Sequence, residues 1–88
     1  MADWREELKK LGLELLKSEK WEEIDKYLAQ MHAVVISAAL RGEDIPQFVS
    51  DILITMPASR NEASYNYIKR KVKILLLGLA CNKILEGR

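Results

Sequence analysis

The side chains able to do chemistry are few and scattered. His32 is the one histidine, set between Met31 and Ala33, with Leu28 and Ile36 one helical turn to either side. General acid-base work or metal ligation needs an orienting carboxylate or further ligands, and neither stands at that spacing. His32 therefore reads as a packing residue. Cys81 is the one cysteine, and its nearest charge, Lys83, falls on another face, so no local base would hold a thiolate. It reads as a small apolar residue. The carboxylate clusters Glu6-Glu7 and Glu22-Glu23-Asp25 meet lysines one turn on, as in Glu6 to Lys10 and Glu22 to Lys26. That is the pattern of a solvated, salt-bridged helix face. No catalytic residue, cofactor or metal is expected, and the chain is not expected to be an enzyme.

One segment has another flavour. From Ser59 the chain runs Ser-Arg-Asn-Glu-Ala-Ser-Tyr-Asn-Tyr-Ile-Lys-Arg-Lys to Lys71. Small polar residues at a helix start can reach base edges, and the basic residues that follow can grip phosphates, as in the recognition helix of a helix-turn-helix. Ser64, Asn66, Lys69, Arg70 and Lys73 are the candidate nucleic-acid contacts. Against this, the turn Met56-Pro57-Ala58 lacks glycine, and Lys69, Arg70, Lys71 and Lys73 scatter around the helix axis.

Charge agrees with a mixed picture. The formal net charge is +1, made of −2 over residues 1–30, −2 over 31–56 and +5 over 57–88. Only the last third is basic. A lone cysteine suits a reducing cytoplasm, and the polar, acidic start is unlike a signal peptide. The longest apolar run, Ile74 to Cys81, falls far short of the ~20 residues that span a membrane.

These residues must be positioned by helices. With 88 residues, 49% apolar and 31% charged, the chain suits one globular domain over 1–88. Three starts read as capping boxes, Asp3 with Glu6, Asp44 with Gln47, and Ser59 with Glu62. Gly42, Pro57 and Gly87 read as stops. Between the first two helices a phase argument is needed. Trp4, Leu8, Leu11 and Leu15 share one stripe at 100° per residue, while Trp21, Ile24, Leu28, Met31 and Val35 lie half a turn away. A break with Ser18 as N-cap resolves the conflict. The expected fold is a compact all-α four-helix domain with helices at about 4–17, 19–41, 45–55 and 60–86. Its expected core is Leu8, Leu11, Leu15, Leu28, Met31, Val35, Ile52, Leu53, Ile68, Val72, Leu75 and Leu79, with Trp4, Trp21 and Phe48 following the apolar stripes.

The last helix carries too much apolar surface for one core. Ile68, Val72, Leu75, Leu76 and Leu79 make one stripe; Ile74, Leu77, Cys81, Ile84 and Leu85 make a second on the opposite side. A surface helix has one apolar face, so the second stripe is the candidate interface. The end of the second helix, from Val34 to Leu40, is similarly apolar all round.

The layout of Leu40-Arg41-Gly42-Glu43-Asp44-Ile45, an amphipathic helix, and then Tyr67 to Leu76 is similar to the small bacterial AriR/YmgB regulators over about half the chain. The similarity rests on generic helix grammar, and it implies a helical dimer. The function expected is therefore a non-enzymatic protein-protein interaction module, most simply a homodimeric regulator or adaptor, whose partner is a second copy or another protein. Helix-turn-helix nucleic-acid binding is the alternative. The contrast between a first helix rich in Glu, Lys and Leu and an idiosyncratic second half also admits an engineered binder on a helical scaffold.

Overall fold

The computed structural model describes residues 3–86, with side chains as far as Cys81. Four helices follow one another, α1 (Trp4–Lys17), α2 (Trp21–Leu40), α3 (Gln47–Ile54) and α4 (Glu62–Glu86), with no strand among the described residues. The all-α four-helix domain expected from the pattern is the fold observed. The 25 residues of α4 would span about 37 Å as an ideal helix, which sets the long axis of the 40 × 23 × 20 Å molecule.

Helix α1 begins where Asp3, in extended backbone, accepts from the Arg5 amide at 3.1 Å. The break that follows lies where the phase argument puts it, but Ser18 works in the other direction. It is the C-cap of α1, its amide donating to the Glu14 and Leu15 carbonyls and its hydroxyl to Glu14 at 2.9 Å. The N-cap of α2 is Lys20, whose side chain makes no cap bond. Helix α2 closes in a Schellman motif, with the Gly42 amide donating to Ala39 and the Glu43 amide to Ala38. Gly42 stands at φ 83°, a region that disfavours any side chain.

Two other expected caps are displaced. Asp44 does not start α3; Pro46 is its N-cap, without a side-chain bond, and Ile45 packs beside the core ahead of the helix. A proline fixed near φ −57° takes the entry position, and the helix starts two residues later than the apolar pattern suggests. In α4 the Asn61 side chain, not Ser59, accepts from the Ser64 amide at 2.9 Å. Ser59 instead exchanges a hydroxyl hydrogen bond with Ser64.

The core is a single cluster. Leu8, Leu15, Ile24, Met31, Val49, Ile68, Val72 and Leu75 are fully buried, and Trp4, Leu28, Ile52, Leu53 and Leu79 nearly so. Leu11 and Val35, expected inside, are half-buried at its edge, as are Trp21 and Phe48. Helix α1 packs against both α2 and α4, and α3 packs against α4. Two glycines permit the closest approaches. A Cβ at Gly12 would stand 3.0 Å from Leu76 Cδ2, and one at Gly78 would stand 2.5 Å from the Phe48 ring. Neither contact is visible in a hydrophobic period.

Candidate association surface

The inward stripe of α4 is now identified. Ile68, Val72, Leu75 and Leu79 are in the core, and Leu76 is half-buried against it. Of the opposite stripe, Ile74 is 43% exposed, Leu77 67% exposed, and Cys81 exposed. The Ile84 and Leu85 side chains lie outside the described residues. Cys81 being exposed, its side chain adds nothing to the core of a single chain. Removing apolar area from water is worth about 25 cal/mol per Å², so side chains left out at these positions favour any partner that covers them.

The N-terminal half of α4 is held by a different set of forces. Lys69 turns inward, and its Nζ donates to the carbonyls of Leu15 at 2.9 Å, Leu16 at 2.8 Å and Ser18. These belong to the last turn of α1 and its C-cap, where carbonyls have acceptor capacity left over from the helix ladder and the helix dipole is negative. Tyr65 reinforces the clamp. Its hydroxyl donates to the Ser18 carbonyl at 3.3 Å, its ring lies 5.0 Å from the Lys69 ammonium, and it meets Trp21 edge-on at 6.0 Å. Arg60 stacks over the other aromatic, 5.0 Å from the Trp21 ring, while bridging to Asp25 at 2.7 Å and donating to the carbonyls of Pro57, Ala58 and Ser59. One cationic-aromatic cluster thus ties the α1–α2 junction to the start of α4.

That cluster divides the candidate nucleic-acid contacts. Ser64 is buried and hydrogen-bonded to Ser59 and Asn61, and the Lys69 ammonium is engaged in the α1 clamp. Asn66, Arg70 and Lys73 are exposed, and by helical phase they share the outward side of α4 with Leu77. Tyr67, half-buried, lies 6.0 Å from the Arg70 guanidinium and 5.5 Å from the Lys71 ammonium. The linker from α3 to α4, residues 55–61, is longer than the three- or four-residue turn of a helix-turn-helix.

Elsewhere the surface offers little for chemistry. His32 is half-buried on α2. Among the described residues no group of three His, Cys, Asp or Glu side chains could hold a metal ion. A shallow groove of about 360 Å³ between α1 and α2 is lined by Glu7, Lys10, Leu11, Gln30, Ala33 and Val34. Among the described residues no helix is long and apolar enough to cross a membrane.

Compared with known proteins, the chain matches no family model, no curated protein and no solved structure.

Proposed function

We propose that this protein is a non-enzymatic helical interaction module that pairs with itself through the outer face of α4, as a small regulator or adaptor does. The observation that carries this reading is Leu77, a large apolar side chain 67% exposed in the middle of a well-formed helix whose opposite face already fills the core. Ile74 beside it and Cys81 one turn on extend the face. An apolar strip on a helix that needs no more packing for its own fold is a surface for another chain. With one cysteine, the chain suits a reducing, cytoplasmic setting.

Leu77→Glu tests the reading. The substitution places a charge on a position the monomer leaves in water, so circular dichroism and thermal melting should change little while the association constant falls by at least tenfold. An oligomer unaltered by Leu77→Glu would remove α4 as the interface.

A second reading, nucleic-acid binding, keeps support from Asn66, Arg70 and Lys73 on one outward side. It would show as strongly salt-dependent binding of duplex DNA in a fluorescence titration. Absence of binding at low salt would end it.

A further inference from the structure

The three carbonyls that Lys69 engages are the ones a longer α1 would use for itself. In an α-helix each carbonyl accepts from the amide four residues on. A helix that ran on past Lys17 would therefore bring the amides of Glu19, Lys20 and Glu22 to the carbonyls of Leu15, Leu16 and Ser18. The Lys69 ammonium donates to those same three oxygens from α4, and the Tyr65 hydroxyl adds a bond to the last of them. One side chain stands in for three backbone donors.

The junction itself does little to keep α1 and α2 apart. Its linker is Ser18-Glu19-Lys20, and neither glycine nor proline occurs between Gly12 and Gly42. Ser18 and Lys20 leave helical geometry chiefly in ψ, at 138° and 140°. Glu and Lys are good helix formers, and Lys20 gives α2 no side-chain cap. Even the bond from the Ser18 hydroxyl to the Glu14 carbonyl is one that a serine inside a helix makes.

A joined helix could not be satisfied within one chain. Its two apolar stripes, half a turn apart, would face opposite sides, and α1 would extend beyond α2 instead of folding back. The bed that α1 fills against α2 and α4 would stand empty. That bed is shaped for α1, whose Leu8 and Leu15 are fully buried in it and whose Gly12 leaves the notch that Leu76 occupies. The segment that fits it is α1 of a second copy, set free by the same opening.

We infer that the α1–α2 junction is a hinge latched by Lys69, and that unlatching lets two copies exchange α1, each joining its own α1 and α2 into one helix from Trp4 to Leu40. The exchange rebuilds the present core between two chains. It does not use the outer face of α4.

Lys10 and Gln30 report the hinge, because they line one groove in the folded-back form and would stand about 30 Å apart along a joined helix. Spin labels are placed on Lys10→Cys and Gln30→Cys in a chain that also carries Cys81→Ser and Leu77→Glu. Excess unlabelled chain confines the reading to distances within one molecule. After refolding at high concentration, the dimer fraction should show the long distance and the dilute monomer only the short one. Adding Lys69→Met should raise the long-distance fraction roughly fivefold with helicity retained. Glu19→Pro should remove it, since proline cannot sit inside the joined helix while the extended Ser18 suits the position before one. If Lys69→Met does not fold, Tyr65→Phe, which takes one donor from Ser18, should raise the fraction by a smaller factor. Refolded chain with the short distance alone would overturn the hinge, as would a long distance that survives Glu19→Pro. No rise with either latch variant would overturn the latch.

Discussion

On the inner face of α4, Leu75 is fully buried; two residues on, across the helix, Leu77 is 67% exposed. The residue type is the same, and the spacing alone assigns one to the core and leaves the other in solvent. Lys69 and Lys73 make a parallel contrast one turn apart. Lys69 caps the end of α1 with three hydrogen bonds, whereas Lys73 stands in solvent. What the pairs teach is that neither hydrophobicity nor charge tells a residue's task on this helix. Its angle to the core does for the leucines, and its height beside the end of α1 does for the lysines.

The contrast can be broken at its strongest point first. Leu75→Ala should cost about 2–5 kcal/mol, the combined loss of transfer energy and creation of a cavity, read from urea unfolding. Leu77→Ala should stay within about 0.5 kcal/mol when the chain is dilute enough to be monomeric. Equal costs would mean that the outer face is packed after all.

Lys69→Met comes next. It removes the ammonium from three carbonyls at the α1 terminus, leaving Leu15 only the Ser18 amide and Ser18 only the Tyr65 hydroxyl, an expected loss of about 1–3 kcal/mol, and amide exchange should quicken in the last turn of α1. Lys73→Met should be nearly silent. A smaller effect is expected at the start of α4, where Asn61→Ala removes the cap on the Ser64 amide and should lower stability by about 1 kcal/mol. Ser59→Ala should cost less, because its hydroxyl caps no backbone group.

Much of this was legible beforehand. The bounds of α1, the break after it, the Gly42 stop and the inner stripe of α4 all rest on local period and turn chemistry, which act within a few residues. Caps were read less well. Around residues 59–61 two capping side chains compete, and the winner depends on how the chain leaves Pro57; at Ser18 one hydroxyl can close a helix or open the next. The Lys69 clamp was not legible at all. Its partners lie 51–54 residues away, and only the packing of α4 along α1 brings them together. The candidate surface shares this limit. The two stripes of α4 are plain in the sequence, as is the one that fills the core, but the close approach of Leu76 to Gly12 and of Phe48 to Gly78 is not.

We propose that a second copy of the chain covers the outer face of α4. Light scattering coupled to size exclusion, run on the wild-type chain at micromolar concentration, tests it most directly. The expected mass is twice 10.1 kDa, falling to the single value with Leu77→Glu. A wild-type mass of 10.1 kDa, unchanged as concentration rises, would contradict it.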